Sequence, residues 1–283
     1  MLQSMEISLR IELLTTPKVL YLVVGKKFGE ETKMKKLIIL ATFLFGTSVL
    51  ANPIDDNCPE VVVNGAPQIK VEGNNQYICH KAYAINYNYK TKVAHFVVEH
   101  IKASDLTKAA KRKDDFRMDP LVDDDKEATL EDYAKSGYDR GHIAPAADFS
   151  ADAGEMSESF YLTNMMPQVP NNNRGIWKKT ETMARDFAEK YGEVYVISGT
   201  IYEGDYLTIG NGVGVPTHIY KIIIDPKKNR AMSFLFENTK LKVETLSEHV
   251  VTIKEIETRA KVNFNPLLKD DSMEKQKADI GEW

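Results

Sequence analysis

The sequence contains few cysteines and no excess of basic charge. Among its 283 residues there are two cysteines, and 37 lysines and arginines stand against 41 aspartates and glutamates, a formal net charge of −4. Two cysteines alone do not complete a structural zinc site, which takes four ligands. A tight, charge-driven nucleic-acid binder usually has a basic footprint, so the overall charge argues against that class. An enzyme that meets phosphate at a local basic site remains compatible with it.

The sequence also lacks an apolar run long enough to cross a bilayer, which needs about 20 residues. A shorter apolar run, Leu37 to Phe45, follows two lysines after Met34 and precedes a small-residue pattern that ends at Ala51. This arrangement is typical of a secretory signal peptide over residues 34–51, cleaved after Ala51, rather than of a membrane anchor.

Residues 1–33 precede this signal, and we interpret them either as untranslated or as an extended leader. The mature chain is then residues 52–283, with no membrane segment, and it is expected to be periplasmic or secreted. Removing residues 1–51 leaves 30 basic and 37 acidic residues, a net charge of −7. Since exported proteins form disulfides, Cys58 and Cys79 are expected to pair. Two free buried thiols are the alternative.

Apolar periodicity in the mature chain predicts strands joined by hairpins, with helices elsewhere. The predicted hairpins are 83–89 with 93–101 and 216–225 with 230–238; a short strand is predicted at 159–164, and helices at 173–191 and 247–260. Gly192 is expected to stop the first helix, and Ser247 or Thr245 to cap the second. These elements indicate a single α+β domain with a mainly antiparallel central sheet flanked by helices.

The segment GYDRGHIAPAADF, residues 137–149, places three chemically different side chains within four residues: Asp139, Arg140 and His142. Histidine exchanges a proton near neutral pH and is the usual general base. Arginine offers a planar fork of donors that fits phosphate. The alternative is a surface ion pair between Asp139 and Arg140 in a turn, which contributes little to stability. This segment alone does not decide between the two interpretations.

A second segment places Asn173, Trp177, Glu181 and Arg185 at intervals of four residues. Residues four apart lie on one face of a helix. An amide and a carboxylate on one face are suitable for Mg²⁺, which keeps several waters and takes one or two protein ligands. Alternatively, Trp177 packs in the core and Glu181–Arg185 is an ordinary helix pair contributing about 0.2–0.5 kcal/mol.

Both segments resemble the signature of the DNA/RNA non-specific endonucleases, which are ββα-metal nucleases. The stretch DRGHIAPAADF resembles one family motif, and TN…PQ…N…W…E…R, residues 163–185, resembles the other with matching spacing. The segments CHKAYAINYNYKTKVAHFVVEHI, KRKDDFRMDP, VPTHIYKIII and IKEIETRAKVNF resemble the family as well. The resemblance therefore covers nearly all of the mature chain, and it implies a ββα-metal active-site motif within the α+β fold.

The resemblance implies a role for each matching position. His142 would be the general base that activates water. Asn173 would be the direct ligand of Mg²⁺, for which Mn²⁺ is expected to substitute, and Glu181 would hold metal-bound waters. Because the sequence has three consecutive asparagines, Asn172 is an alternative ligand, but the spacing from Asn164 and Trp177 favours Asn173.

The resemblance also implies phosphate contacts and supporting residues. Arg140 and Arg112 would contact phosphate, and the neighbours that compete with Arg112 for this role are Lys111, Lys113 and Arg117. Three further residues would support the site: Arg185 beside Glu181, Asn164 near His142, and Asp139 as a brace within the motif.

The sequence as a whole predicts an exported Mg²⁺-dependent, sugar-non-specific endonuclease with DNA and RNA as substrates, and a homodimer is a candidate assembly. Two alternatives from other classes are an inactive nucleic-acid-binding protein with the same fold and a metal-dependent phosphodiesterase that acts on small nucleotides.

Overall fold

The described part of the chain contains thirteen strands of between two and ten residues. The computed structural model describes residues 58, 61, 67–70, 74–264, 268, 272–275 and 277–283, and the predicted leader and signal peptide lie outside these residues. The strands are β1 Gln68–Ile69, β2 Asn75–Cys79, β3 Tyr83–Asn88, β4 Val93–Lys102, β5 Asp139–His142, β6 Met165–Gln168, β7 Glu193–Ile201, β8 Thr208–Ile209, β9 Val213–Gly214, β10 His218–Asp225, β11 Arg230–Glu237, β12 Val250–Val251 and β13 Val262–Asn263.

Seven of these strands form one antiparallel sheet in the spatial order β12-β11-β10-β7-β4-β3-β2. Both predicted hairpins are present, as β3 with β4 and as β10 with β11. The predicted pairing of the cysteines is also confirmed: Cys58 is disulfide-bonded to Cys79, the last residue of β2.

Helices and short turns flank the sheet. The helices are α1 Leu130–Tyr133, α2 Ala153–Glu158, α3 Pro170–Asn172, a π-helix Asn173–Trp177, α4 Lys178–Tyr191, α5 Ile253–Ala260 and α6 Ser272–Lys275. The 3₁₀ turns are Ala103–Asp105, Asp124–Lys126, Ala146–Phe149, Leu162–Asn164, Val243–His249 and Ile280–Glu282. Within the described part of the chain, no helix is both long and apolar enough to cross a membrane. The sheet and its helices confirm the predicted α+β class.

The sheet separates two apolar cores. Strand β7 contributes to both cores, because successive side chains point to opposite faces of the sheet. Val194 and Val196 contribute to the core that contains α4, whereas Ile197 contributes to the core that contains α5. Helix α4 buries one stripe with helical spacing, consisting of Thr180, Met183, Ala184, Phe187 and Ala188. The helix ends at Tyr191 and is followed by Gly192, whose φ of 97° is a conformation that favours glycine. The face of the sheet covered by α4 carries the candidate site.

Three predicted elements differ from the structure. The predicted strand at 159–164 is wrong, because Leu162–Asn164 forms a 3₁₀ turn and the strand is the following β6. The second predicted helix begins late, at Ile253, where Thr252 caps it by accepting a hydrogen bond from the backbone N–H of Glu255. The helix predicted from Asn173 is present, but its first turn is a π-helix.

Candidate active site

A two-stranded ribbon, β5 with β6, carries the first predicted motif. Its register pairs Asp139 with Gln168 and His142 with Met165. Gly141 allows the close approach of the two strands, because a Cβ at this position would lie 2.1 Å from Oε1 of Gln168. A side chain at position 141 would therefore push the ribbon apart. The glycine between the arginine and the histidine is thus explained by strand packing.

His142 lies at the end of this ribbon in an aromatic environment. Its ring is perpendicular to that of Phe160 at a centroid distance of 4.9 Å and lies 5.6 Å from that of Phe116. Its Nε2 is buried and has no hydrogen-bond partner among the described residues. Burial, together with the nearby charge of Arg112, lowers the pKa of His142 to about 3. The imidazole is therefore neutral at physiological pH, the state in which it can accept a proton.

The buried imidazole predicts a specific dependence of stability on pH. His142 titrates near 6.5 when unfolded and near 3 when folded, so its stabilising contribution is complete above pH 6.5 and is lost as the pH falls towards 3. Urea unfolding at pH 7 and pH 5 should show that the wild type loses about 2 kcal/mol more than His142→Asn, which does not titrate. Identical pH dependence in the two proteins would contradict this prediction.

Two arginines lie near His142. The Arg140 guanidinium stacks 4.4 Å from the ring centroid of Phe116, and its Nε is buried without a hydrogen-bond partner among the described residues. Arg112 is exposed, and its guanidinium lies 5.0 Å from the ring centroid of Phe160. Both rings also contact His142, so the two cations flank the imidazole.

Arg117, one of the competing positions for Arg112, is already engaged elsewhere. Its Nη1 donates to the carboxylate and the carbonyl of Asp115 and to the carbonyl of Ser157, and its guanidinium stacks 4.2 Å from the ring centroid of Tyr161. By contrast, Arg112 makes one exposed ion pair, with Asp114, at 2.8 Å. This difference favours Arg112 as the residue available to a ligand.

Two side chains fix the backbone around His142. The Asn164 amide donates to the carbonyls of Ala144 and Ser159 and accepts from the N–H of Ala144, at 2.8–3.0 Å. Trp177 Nε1 donates to the carbonyl of His142 at 3.1 Å. Since the Asn164 amide is occupied by backbone groups, it shapes the chain after His142 and does not project towards a ligand. These local bonds also explain why the predicted strand at 159–164 did not form.

A polar pocket of about 220 Å³ lies beside the ribbon. The residues that line it are Phe116, Tyr138, Asp139, Arg140, Asn173 and Arg174. Asn173 Nδ2 donates to Asp139 Oδ2 at 2.9 Å, which leaves Asn173 Oδ1 as the acceptor of that amide. The pocket therefore brings together the two predicted motifs, because Arg140 of the first and Asn173 of the second both line it.

Asn172, the alternative ligand position, is buried and fully hydrogen-bonded. Its Nδ2 donates to the carbonyls of Glu237 and Thr239, and its Oδ1 accepts from Gln168 Nε2 at 3.1 Å. It anchors α3 to the end of β11. Of the two asparagines, only Asn173 lines the pocket.

The donor atoms of the pocket fit a hydrated magnesium ion. Within the described residues, no group of three or more His, Cys, Asp and Glu side chains is arranged to hold a metal. One amide oxygen in a polar pocket with room for several waters suits Mg²⁺, which retains most of its waters and needs few protein ligands.

Glu181 and Arg185 lie in an adjacent charged cluster under α4. Arg185 donates to the buried carboxylate of Asp148 at 2.5 Å. Lys221 Nζ donates to Ser198 at 2.5 Å and lies 4.4 Å from the Trp177 ring centroid. Trp177 therefore contacts both this cluster and the backbone of His142.

Burial shifts the titration of this charged cluster. It raises the pKa of Glu181 to about 7, against the opposing charge of Lys221. Burial also raises the pKa values of Glu99 and Asp148, which hydrogen-bond to each other, and lowers that of Lys221. With two cations and three acids in one buried region, a neutral cluster results when one carboxyl group retains its proton.

Sequence reasoning missed Glu99, Asp148 and Lys221. A signal was available, because Glu99 and Lys221 interrupt the apolar alternation of β4 and β10 at positions that face α4. On these strands Val97, Ile101, Ile219 and Ile223 belong to the same core. A charge in such a position requires a buried partner.

Removal of the buried lysine should destabilise the fold. Lys221→Met would leave the surrounding carboxylates uncompensated, and loss of one partner in a buried ion pair typically costs about 3–5 kcal/mol. Urea unfolding at pH 7 measures this loss, with Lys228→Met, a change at an exposed lysine, as the matched control. An equal effect of the two substitutions would contradict the expectation.

The first strand of the short antiparallel ribbon ends in a histidine. The helix that follows the ribbon begins with an asparagine in the same pocket region. This arrangement defines the ββα-metal class of sites. The sequence model described as DNA/RNA non-specific endonuclease matches residues 63–271. The chain belongs to the DNA/RNA non-specific endonuclease family, as the sequence motifs predicted.

Curated proteins and a solved structure are similar to this chain. It is 33% identical over 209 residues to "Nuclease EXOG, mitochondrial" of Danio rerio (68% of this chain, 61% of the relative). It is 34% identical over 202 residues to "Nuclease C1" of Cunninghamella echinulata var. echinulata (65% and 80%). A chain in the crystal structure of an EndoG/EndoGI complex matches with a TM-score of 0.68 and 29% identity, covering 75% of this chain and 92% of that one. The chain spans about three fifths of the length of the Danio rerio relative.

Proposed function

We propose that this protein is an exported, Mg²⁺-dependent endonuclease that hydrolyses phosphodiester bonds in both DNA and RNA. The observation that carries the proposal is the neutral His142 imidazole, which two arginines flank and whose Nε2 has no hydrogen-bond partner among the described residues, on the ribbon beside the pocket that Asn173 lines. Family membership and the nuclease names of the similar proteins support it.

His142 acts as the general base. A neutral imidazole removes a proton from the attacking water, a contribution of about 10²–10⁴ in rate. In the free protein, burial and the nearby arginines hold the pKa of His142 low. A bound phosphate places negative charge beside the same groups and raises that pKa. The base therefore becomes stronger when the substrate is in place.

Arg140 and Arg112 bind the phosphate and stabilise the charge that develops on it in the transition state. Asn164 and Asp139 position these groups, because their hydrogen bonds run to the backbone after His142 and to the Asn173 amide. Arg185 supports Glu181 from within the charged cluster.

Asn173 Oδ1 would hold Mg²⁺ directly, and Glu181 would bind waters of the ion. When bound, the ion supplies a Lewis acid that stabilises the leaving oxygen, and Mn²⁺ is expected to substitute for it. A neutral amide ligand leaves most of the positive charge of the ion available to the phosphate.

The proposed export rests on the signal-peptide pattern over residues 34–51 and on the Cys58–Cys79 disulfide, which suits an oxidising compartment. The mature protein would be periplasmic or secreted. The EXOG relative is named as a mitochondrial protein; the proposal for this chain therefore rests on its own sequence.

The test is a cleavage assay on the purified mature protein with duplex DNA, single-stranded DNA and RNA, with Mg²⁺ or with excess chelator. Cleavage of all three that stops on chelation is the expected result. Equal cleavage in chelator would refute the metal requirement. Binding without turnover would indicate an inactive binding protein, and preference for a dinucleotide ester over the polymers would indicate a small-nucleotide phosphodiesterase.

A further inference from the structure

The carboxylate of Asp139 accepts hydrogen bonds from two consecutive residues of the π-helix. Asn173 Nδ2 donates to Oδ2 at 2.9 Å. Arg174 donates twice, from Nε to Oδ2 at 2.9 Å and from Nη2 to Oδ1 at 2.6 Å. Arg174 therefore donates hydrogen bonds to both oxygens of the Asp139 carboxylate, which also accepts the hydrogen bond from the Asn173 amide. The Arg174 side chain is 72% exposed and that of Asp139 only 16%.

We propose that Arg174 is a positioning residue that acts through Asp139 to orient the Asn173 amide for metal binding. This inference rests on the proposed function of Asn173 as the metal ligand. In this role Arg174 acts through Asp139 and not on the metal or the reacting atoms.

The physical reason lies in the symmetry of an amide group. The oxygen and nitrogen of an asparagine amide exchange places by a rotation of the terminal torsion, which has a broad energy profile. An ionised carboxylate only accepts hydrogen bonds, so Asp139 selects the orientation in which Nδ2 faces it. The opposite end of the amide, Oδ1, is then directed away from Asp139 and is available as a ligand.

Arg174 contributes by fixing the carboxylate in turn. The planar fork of a guanidinium engages both carboxylate oxygens and thereby fixes the plane of the carboxyl group. The Asp139 carboxylate accepts three hydrogen bonds, two from Arg174 and one from Asn173, which is the arrangement of an ionised acceptor. Without the fork, Asp139 is free to rotate, and the Asn173 amide loses its preferred orientation.

An exposed arginine beside a phosphate-binding pocket has a competing interpretation, in which Arg174 contacts the substrate directly. The two interpretations differ in what a substitution changes. A positioning residue affects metal affinity in the absence of nucleic acid. A phosphate contact affects the KM for the polymer and leaves metal affinity unchanged.

Mn²⁺ binding to the purified mature protein, measured by electron paramagnetic resonance without nucleic acid, tests the proposal. Arg174→Gln should weaken Mn²⁺ binding by about 10-fold, the lower end of the range for loss of an outer partner of a metal ligand. The matched control is Arg259→Gln, which removes another bidentate pair, Arg259 with Glu203. Helix α5, which carries Arg259, packs on the opposite face of the sheet, so this control should bind Mn²⁺ as the wild type does.

The failure of the inference and the failure of the proposed function are distinguishable. Wild-type affinity in Arg174→Gln together with lost affinity in Asn173→Ala would overturn the role of Arg174 alone. Wild-type affinity in Asn173→Ala would overturn the ligand assignment and the inference with it.

Steady-state kinetics provide a second, independent measurement. The deficit of Arg174→Gln should disappear at saturating Mg²⁺ because a correctly oriented amide is then selected by the ion. Arg174→Lys, which retains the charge without the fork, should recover only part of the Mn²⁺ affinity. A deficit that persists at saturating Mg²⁺ as a raised KM for DNA, or full recovery by lysine, would overturn the positioning role.

Discussion

His142→Ala should lower kcat for duplex DNA by about 10²–10⁴-fold, because the variant lacks the proposed general base for the attacking water. KM should change little, since Arg140 and Arg112, the proposed phosphate contacts, remain. The measurement is a plasmid cleavage time course at saturating Mg²⁺. The fold should be retained, because alanine replaces an imidazole whose Nε2 makes no hydrogen bond to any described residue.

The matched control for this variant is His218→Ala. His218 is the first residue of β10, and its Nε2 lies 2.9 Å from Nη2 of Arg259 on α5, outside the pocket region. This substitution should leave kcat within a few-fold of the wild type. If the two histidine variants lost activity to the same extent, the assignment of His142 as the base would be wrong.

Asn173→Ala should abolish the metal-dependent activity, and Asn172→Ala should not. Loss of a direct ligand exceeds the 10–100-fold cost in metal affinity that follows loss of an outer partner, so we expect Mn²⁺ affinity to fall by at least about 100-fold. Stability should change little, because Asn173 is half-buried and its amide makes one hydrogen bond, to Asp139.

Asn172→Ala is the converse case. It leaves two backbone carbonyls and the Gln168 amide without their partner. Each unsatisfied buried group costs about 1–3 kcal/mol. The midpoint of urea unfolding should therefore fall while Mn²⁺ affinity remains that of the wild type. Reversed results for the two variants would place the metal ligand at Asn172.

Much of the fold was accessible from the sequence because its main strands are short apolar runs separated by polar turns. The hairpins of β3 with β4 and of β10 with β11 were predicted to within two residues, since the turns KTK and PKKN mark where each strand ends. The segment 159–164 was misassigned for a local reason. Its apolar residues, Phe160 to Leu162, form a short run like that of a strand, but the Asn164 side chain donates to the carbonyls of Ser159 and Ala144 and stabilises a 3₁₀ turn.

The candidate site was predicted in part. Two spaced motifs identified the family, and the structure places Arg140 and Asn173 in the lining of one pocket, with His142 on the same strand as Arg140. The buried cluster of Glu99, Asp148 and Lys221 was missed, because no short sequence motif links three residues that lie on different elements. Its members meet only when β4 and β10 pack beneath α4.

The sequence by itself determined the family, the antiparallel sheet and the chemical types of the site residues, because these depend on local periodicity and on motif spacing. Motif spacing favoured Asn173 over Asn172 as the ligand, but only the tertiary structure showed the surroundings of these two adjacent asparagines. Asn172 and Asn173 are chemically identical, and a helix turn directs them to different surroundings. Asn172 satisfies carbonyls at the end of β11, whereas Asn173 meets Asp139, whose carboxylate Arg174 holds. Long-range contacts of this kind arise from packing and have no signature in the local sequence.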